Sequence, residues 1–419
     1  MREAEMDVRP ALAMLEELLV EPLAAAYLGW VRHDPLAQLL LPAGQADPYP
    51  MYEAIRSRGP VVPVARFGQI TVSHPLCRAV LRDRDWSVRG DAPNRGEGRL
   101  SFLELDPPAH TRLRRLATPA FTPRAIAGYG GQVAAVVDRL LDGCSPGEPF
   151  ELVSRLAEPM PIAVITELLG VPVGDSAEFA RHGATIGGAL SGIQSVAHLA
   201  RLVQADRRLA AIFGEVLALK REQPAEDLVS RLVAAEPESI SAEELVPFCT
   251  LVLVAGFETT VNLIGNTVLA LLNHPDQWRA VVEDPGLASA AVEETLRWDA
   301  PVQRTFRVAT SDVELAGRPV RRGQMVVLLV GGANRDPDVF ADADTFDLSR
   351  YAPGAAPAPE HLAFSAGIHY CVGAPLARLE AAVTVRRLAE RYPGLHRAGP
   401  LRRRPGSVLR GLTELVLAA

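Results

Sequence analysis

Residues 364–378 decide the fold, and they read Phe364-Ser-Ala-Gly-Ile-His-Tyr-Cys-Val-Gly-Ala-Pro-Leu-Ala-Arg378. A single cysteine, Cys371, lies here between a glycine-bearing loop and a run with helical spacing. The N-terminus of a helix stabilises negative charge, and its backbone amides can donate hydrogen bonds to a sulfur. Gly367 and Gly373 would let the backbone turn tightly and let a flat group approach. The pattern predicts a thiolate site, although Cys371 on its own could equally be a buried core cysteine.

The spacing around Cys371 extends this prediction. The order Phe364-x-x-Gly367-x-His369-x-Cys371-x-Gly373 resembles the haem-binding signature of the cytochrome P450 family. The resemblance implies a haem b cofactor (iron protoporphyrin IX) with Cys371 as the metal ligand. It also implies that Phe364, Gly367, His369 and Gly373 contact the haem. A thiolate ligand donates electron density that favours cleavage of the O–O bond.

Ser365 departs from this signature, since many bacterial members have glycine there. A small residue should still pack beside the loop that bears the sulfur. We therefore expect Ser365 to tune the haem environment slightly without preventing haem binding.

A second motif lies in the apolar stretch 245–272, where Ala255-Gly-Phe-Glu-Thr-Thr260 resembles the oxygen-binding helix of the same family. Glycine inside a helix costs up to about 1 kcal/mol relative to alanine, and such a cost is more plausible where something must approach the backbone. The resemblance places Ala255 and Gly256 against the haem. It makes Thr259 a hydrogen-bond donor to dioxygen and Glu258 a carrier of protons from solvent. A solvated helix turn is the alternative, and the flanking apolar residues disfavour it.

Haem carries two propionates, so its pocket needs cations or hydrogen-bond donors at the rim. His110 and Arg114 are four residues apart, just after two prolines, and therefore share one helical face. The family holds propionates with this spacing, and the resemblance adds Arg307 and His369 to the set. Taken singly, each of these residues is more often a surface side chain.

Glu294 and Arg297 are three residues apart and resemble the family's Glu-x-x-Arg element. Such a pair is by itself a weak signal, because most are surface ion pairs worth about 0–1 kcal/mol. The resemblance implies a buried structural network completed by Arg350, with no part in the chemistry.

The expected fold class is mainly α with small β-sheets (α+β), in a cytochrome P450-like single-domain fold. The haem would lie between the distal oxygen-binding helix and the proximal helix that follows the Cys371 loop. We expect an N-terminal helical extension, residues 1–46, packed on the body, and a haem domain over residues 47–419. Periodicity and turn residues predict small strands within 61–72, mostly helices over 111–273, a strand at 326–330, a helix over 374–391 and a hairpin-like tail.

Composition limits the other possibilities. Net charge is -7, with charges of both signs interspersed, so nucleic-acid binding is not expected. Cys77, Cys144, Cys249 and Cys371 are far apart, which favours neither a zinc site nor a disulfide framework and suits the cytoplasm. The uncharged runs within residues 11–41 are too short to cross a bilayer, which takes about 20 apolar residues. A membrane-surface helix is the disfavoured alternative for that segment. We expect a monomer.

The resemblance implies a monooxygenase that inserts one oxygen atom from O2 into a hydrophobic small molecule, by hydroxylation or epoxidation, in natural-product biosynthesis. The haem domain accounts for nearly all 419 residues, so no fused reductase is expected. Electrons would come from a ferredoxin and its NAD(P)H-dependent reductase. Two alternatives stay open: a haem-thiolate peroxygenase, and a non-catalytic haem-binding or sensing protein. A helical protein without cofactor would require every spacing to be coincidence. The expected substrate-lining segments are 86–102, 179–213, 251–255, 301–306 and 408–412.

Overall fold

The computed structural model describes residues 21–65, 68–89, 101–145, 147–172, 176–187 and 195–419, and helices make up most of them. The α-helices are α1 Glu21–Ala26, α2 Pro35–Leu40, α3 Pro42–Ala46, α4 Tyr49–Arg56, α5 His74–Arg82, α6 Ala109–Ala117, α7 Pro123–Ala127, α8 Gly130–Leu141, α9 Pro159–Leu169, α10 Ser176–Gly187, α11 Val196–Glu222, α12 Leu228–Ala234, α13 Ala242–Asn273, α14 Pro275–Glu283, α15 Ala288–Trp298, α16 Val330–Ala333 and α17 Ala374–Arg391. Shorter 3-10 or π turns cover Tyr27–Val31, Ser101–Glu104, Thr118–Phe121, Val153–Ala157, Pro285–Leu287, Leu348–Tyr351 and Gly367–His369.

The strands form small sheets at the edge of the helical body. They are β1 Val62–Val64, β2 Gly68–Thr71, β3 Trp86–Ser87, β4 Phe150–Glu151, β5 Thr305–Ala309, β6 Val313–Leu315, β7 Arg318–Val320, β8 Met325–Leu328, β9 His396–Arg403 and β10 Leu412–Ala418. One sheet has the order β1-β2-β8-β5-β3, another β4-β10-β9, and β6 pairs with β7. The β2–β8 pair is parallel, with Ile70 opposite Val327. The first sheet thus joins segments that are far apart in the chain.

Helix α13 is the centre of the fold. It is apolar nearly all round, as expected of a helix enclosed by protein, and α9, α10, α15 and α17 pack on it. A capping box between Ser241 and Glu244 stabilises its first turn. By length and composition α13 could cross a membrane, but 83% of its most apolar window is buried inside the protein. A core helix explains that composition.

Helix α17 begins three residues after Cys371 and runs to Arg391, so the predicted helix is confirmed. Gly373 is its N-cap, and Pro375 lies in the first turn, where its missing N–H is tolerated. It packs on α8, α13 and α15. The Cys371 loop is therefore tied to the central helix through the helix that follows it.

The predicted α+β fold class is confirmed. The strand predicted at 326–330 is wrong at its C-terminal end, because β8 stops at Leu328 and the chain turns into α16. Gly332 of α16 has Tyr52 and Val72 so close that an added Cβ would lie 2.9 Å from the Tyr52 ring. Glycine is therefore needed at position 332, in the helical turn that follows β8.

The predicted N-terminal extension is described from residue 21, and residues 1–20 lie outside the described part. Leu36 and Leu39 of α2 belong to a core cluster with Tyr52 and Ile55 of α4. Trp30, earlier in the chain, is 66% exposed. The division of the chain into an N-terminal extension, residues 1–46, and a haem domain, residues 47–419, stays a prediction.

Candidate active site

The loop before α17 holds Cys371 in place by backbone hydrogen bonds. The Cys371 amide donates to the Phe364 carbonyl at 2.9 Å. Burial raises the pKa of the Cys371 thiol, and the amide of Gly373, the positive charge of Arg114 and the amide of Ala374 oppose that rise. Cys371 is exposed and forms no disulfide, so its sulfur is accessible. Amide donors and a nearby cation are what a thiolate ligand needs.

Gly367 has a role that sequence reasoning did not predict. Its φ is +68°, and an added Cβ would lie 2.5 Å from the Leu81 carbonyl oxygen at the end of α5. Glycine is needed there for close approach to the protein backbone. At Gly373, by contrast, an added Cβ would meet only the Cys371 sulfur, at 3.9 Å, so the described residues leave room beside the sulfur.

Ser365 adopts φ +64°, in the left-handed region that favours glycine, and its buried hydroxyl has no hydrogen-bond partner among the described residues. Left-handed backbone costs a non-glycine residue about 1–2 kcal/mol, whereas glycine loses about 0.5–1 kcal/mol through chain entropy. We therefore expect Ser365→Gly to raise the free energy of unfolding by up to about 1 kcal/mol, measured as a higher urea midpoint of the ferric protein. A lower midpoint would show that the Ser365 hydroxyl makes a stabilising contact in the holoprotein.

On α13, the residues predicted to lie over the haem are less enclosed than their neighbours, although a Cβ added to Gly256 would lie 3.5 Å from Ile165 of α9. Ala255 is exposed, while Gly256 and Thr259 are half-buried, on a helix otherwise enclosed by protein. The Thr259 hydroxyl donates to the Ala255 carbonyl at 2.8 Å. Threonine side chains bonded in this way can bend a helix, and the hydroxyl stays at this less enclosed face. Glu258, next in the chain, is buried, and burial raises the pKa of its carboxyl while the charge of Arg404 opposes the rise.

Four nitrogen-bearing side chains meet beside the Cys371 loop. The rings of His110 and His369 lie 4.3 Å apart, and Arg114 of α6 donates to the Tyr370 carbonyl. Both ring nitrogens of His110 and Nε2 of His369 are buried without a hydrogen-bond partner among the described residues. Burial lowers the pKa of His369 to about 3, helped by His110, Arg307 and Arg114. Burial also lowers the pKa of Arg307 to about 10.

The cluster holds one buried and one half-buried guanidinium and several ring nitrogens without partners, and Asp106 is the carboxylate whose charge acts on His110 and Arg307. Further anionic acceptors would therefore be favourable here. Two carboxylates of a macrocycle would supply the missing acceptors. Together with the open sulfur of Cys371, the cluster therefore fits a haem with its propionates at His110, Arg114, Arg307 and His369. These four residues come from α6, β5 and the Cys371 loop, and the structure brings them together as the sequence predicts.

The Glu-x-x-Arg network is confirmed. Arg297 binds Glu294 through two nitrogens, at 2.6 and 2.8 Å, and both side chains are fully buried. Nε of Arg350 lies 3.4 Å from Oε2 of Glu294, the oxygen that also accepts from Nε of Arg297. The remaining Arg297 hydrogen donors go to carbonyls, including that of Ala343 at 2.6 Å. Because the Arg297 guanidinium bonds to Glu294 and to carbonyls of residues 334–345, the network fixes the chain that leads into the Cys371 loop.

Two contacts were missed by sequence reasoning. Arg378 of α17 pairs with Glu293 and lies over the Phe364 ring, 4.5 Å from its centre. Arg404, in the tail, lies 3.0 Å from the Glu258 carboxylate. No local pattern signals either contact, because the partners are 85 and 146 residues apart in the chain.

Helices α13 and α17 meet through a further buried pair. Glu380 of α17 is 2% exposed, and burial raises the pKa of its carboxyl well above the usual range while a hydrogen bond with Thr260 opposes the rise. Glu380 therefore lies beside Thr260, where α17 packs on α13.

Comparisons with known proteins find relatives that cover most of the chain. A family model described as Cytochrome P450 matches residues 286–394. The chain is 38% identical to the cytochrome P450 monooxygenase PikC of Streptomyces venezuelae, over 88% of this chain and 90% of that protein. It is 36% identical to the vitamin D(3) 25-hydroxylase of Pseudonocardia autotrophica, over 88% and 93%. The ligand-free crystal structure of Mycobacterium smegmatis CYP164A2 superposes with a TM-score of 0.83 at 39% identity, covering 92% of this chain and 99% of that one.

Proposed function

Because the chain belongs to the cytochrome P450 family, as a monooxygenase that binds haem b, we propose that it inserts one oxygen atom from O2 into a hydrophobic natural product or similar small molecule. The expected outcome is hydroxylation or epoxidation. One observation carries this proposal: Thr259 and Glu258 lie together on α13, with Thr259 at the less enclosed face of an otherwise buried helix. A protein that only binds haem has no need for an acid and an alcohol in that arrangement.

The haem, when bound, supplies the iron at which dioxygen is activated. The chain's own part begins with Cys371, whose sulfur is the proposed iron ligand and whose negative charge the Gly373 amide stabilises. The haem propionates would be held by His110, Arg114, Arg307 and His369. The two faces of the haem would be bordered by Ala255 and Gly256 of α13 and by Phe364, Gly367 and Gly373 of the Cys371 loop. Glu258 would take up a proton and pass it towards the Thr259 hydroxyl, which already has a carbonyl acceptor at 2.8 Å and can rotate to donate elsewhere.

The dioxygen route predicts that Thr259→Ala lowers product formation per NADPH consumed by up to about 10²-fold, the low end of what a positioned proton-transfer group contributes. In the variant, the electrons from NADPH that no longer lead to product would appear as hydrogen peroxide. The measurement is the ratio of product to NADPH in the reconstituted enzyme. A variant that couples as well as the wild type contradicts this route and favours the peroxygenase alternative.

Thr267→Ala is the matched control. Thr267 lies on the same helix, about two turns further, and donates to the Leu263 carbonyl at 2.7 Å in the same way as Thr259 does to Ala255. It is fully buried, so its loss should affect stability and leave coupling unchanged.

The test of the function itself uses isotopically labelled dioxygen. Wild-type enzyme with a ferredoxin, a ferredoxin reductase and a panel of hydrophobic natural products should place one labelled atom in a product. If the product takes up labelled oxygen only from labelled peroxide, or if it forms without an electron donor, the result would support a peroxygenase. Dioxygen binding without any oxidised product across the panel would support a sensor.

The proposal extends to the electron donor, the location and the substrate of the enzyme. We propose a ferredoxin with an NAD(P)H-dependent reductase as the donor, the cytoplasm as the location, and a monomer composed of a haem domain, residues 47–419, behind a helical extension, residues 1–46. The substrate would contact the less enclosed face of α13 and the tail around 408–412. The Pseudonocardia relative carries the name of a vitamin D(3) hydroxylase, which supports a large hydrophobic substrate here. Of the other lining segments predicted, 90–100 and 188–194 lie outside the described residues.

A further inference from the structure

A carboxylate next to the Glu-x-x-Arg network connects α15 and α17 to the chain that enters the Cys371 loop. Both oxygens of Glu293 accept hydrogen bonds from Arg378 of α17, one of them at 3.1 Å. Nε2 of His361 lies 3.1 Å from the same carboxylate. The side chains of His361, Glu293 and Arg378 are 4%, 24% and 33% exposed. We call these three residues the Glu293 cluster.

The Glu293 cluster holds the chain just before the Cys371 loop. The Ala363 amide donates to Nδ1 of His361 at 3.3 Å. A ring nitrogen that accepts carries no proton, so the neutral His361 ring has its proton on Nε2 and donates it to Glu293. A histidine fixed at both nitrogens has one orientation, and the main chain at Ala363 is fixed with it.

The same cluster holds the loop beside the sulfur. The guanidinium carbon of Arg378 lies 4.5 Å from the centre of the Phe364 ring, and Nη1 of Arg378 donates to the Tyr370 hydroxyl at 3.2 Å. Phe364 accepts from the Cys371 amide through its carbonyl, and Tyr370 directly precedes Cys371 in the chain. Arg378 therefore contacts the loop on both sides of the residues that position the sulfur.

The cluster also places charge near the sulfur. Burial alone would raise the pKa of the Glu293 carboxyl, but hydrogen bonds from His361 and Arg378 lower it to about 2, so Glu293 is a carboxylate at neutral pH. With a neutral His361 ring, the charges of Glu293 and Arg378 cancel. Burial raises the pKa of the Cys371 thiol, and the positive charge of Arg378 is among the effects that oppose this rise.

We propose that Glu293, His361 and Arg378 are positioning residues of the Cys371 loop: they hold it on both sides of the sulfur and set the charge beside it, and thereby the reduction potential of the iron. The proposal rests on Cys371 being the iron ligand, as proposed above. Reduction of the ferric iron takes one electron from the external donor and forms no bond within the cluster. A positive charge nearby favours the ferrous state, and a negative charge nearby disfavours it.

The experiment measures the reduction potential of the full-length haem protein by spectroelectrochemical titration. Arg378→Gln removes a positive charge and should lower the potential, whereas Glu293→Gln removes a negative charge and should raise it. The double variant is neutral, as the wild-type pair is, so its potential should return close to the wild-type value. A purely structural role would move both single variants in the same direction, so opposite shifts identify the effect of charge.

Arg387→Gln is the matched control. Arg387 lies nine residues further along α17, is 34% exposed and pairs with Glu390 at 2.7 Å. It has the exposure of Arg378 and a similar partner but lies away from the Cys371 loop. Its variant should keep the wild-type potential.

A second readout tests how firmly the loop is held. His361→Phe keeps a ring, changes no charge and removes both hydrogen bonds. In a fixed urea concentration, its reduced, carbon-monoxide-treated form should lose the Soret position typical of a thiolate-ligated haem about tenfold faster than the wild type, the low end of what a hydrogen bond to a charged group contributes. His361→Gln, whose amide can donate to Glu293, should recover most of the wild-type rate.

The proposal is overturned if Arg378→Gln and Glu293→Gln shift the potential in the same direction or leave it unchanged. It is also overturned if His361→Phe loses the thiolate Soret position no faster than the wild type, and this variant decides the matter if either charge variant fails to retain haem. Neither readout needs substrate or turnover, so both are independent of the dioxygen route. A Cys371→Ser protein that kept the thiolate spectrum would instead show that the ligand assignment itself has failed.

Discussion

Replacing Cys371 with serine is expected to abolish monooxygenase activity while leaving a folded protein. The side chain is exposed and free of any disulfide, and serine differs from cysteine by only one atom. A serine hydroxyl is not ionised at neutral pH, so it cannot donate the electron density that favours O–O cleavage. Product should fall below detection. The reduced, carbon-monoxide-treated protein should also lose the Soret position typical of a thiolate-ligated haem.

Cys144→Ser is the control for this experiment. Cys144 is buried, and its sulfur donates to the Leu140 carbonyl at 3.9 Å, a contact that a serine hydroxyl can replace. Activity and spectrum should persist. A Cys371→Ser protein with wild-type spectrum and turnover would show that the iron ligand is elsewhere.

Replacing Glu294 with glutamine should have the largest effect on stability. The Glu294 and Arg297 side chains are fully buried, and the change would leave the Arg297 guanidinium without its charged partner. Breaking a buried ion pair in this way costs about 3–5 kcal/mol. Arg350 loses the same partner. We expect a much lower urea midpoint and a reduced haem content in the purified protein.

Glu390→Gln provides the comparison, because Glu390 also pairs with an arginine three residues away, Arg387, at 2.7 Å, but on the surface. Exposed pairs contribute about 0–1 kcal/mol. Equal destabilisation by the two variants would contradict the structural role given to Glu294.

Local signals were enough to predict much of the fold and the site. The start of α17 could be predicted because Gly373 and Pro375 favour a helix start. The burial of α13 could be predicted because its apolar residues lie on all sides of the helix. The meeting of His110 with His369 was predicted only through family resemblance, because the two are 259 residues apart.

Other features depend on tertiary contacts that no local pattern encodes. The positive φ of Ser365 is imposed by the loop it occupies. β8 ends at Leu328 and the chain turns into α16, where Tyr52 and Val72 leave no room for a side chain at Gly332. The pairing of Arg404 with Glu258 depends on how the tail folds back, and arginine is common throughout this chain.

The parallel pairing of β2 with β8 also bears on the protein's synthesis. Residue 71 leaves the ribosome 257 residues before residue 328 does, which at usual translation rates is a delay of roughly 10–50 s. During that time β2 has β1 as a partner and one unpaired edge, which is exposed to aggregation. Cys371 emerges later still. Haem can therefore be bound through Cys371 only after that residue has emerged, and a nascent chain stalled before residue 328 should depend on chaperones to stay in solution.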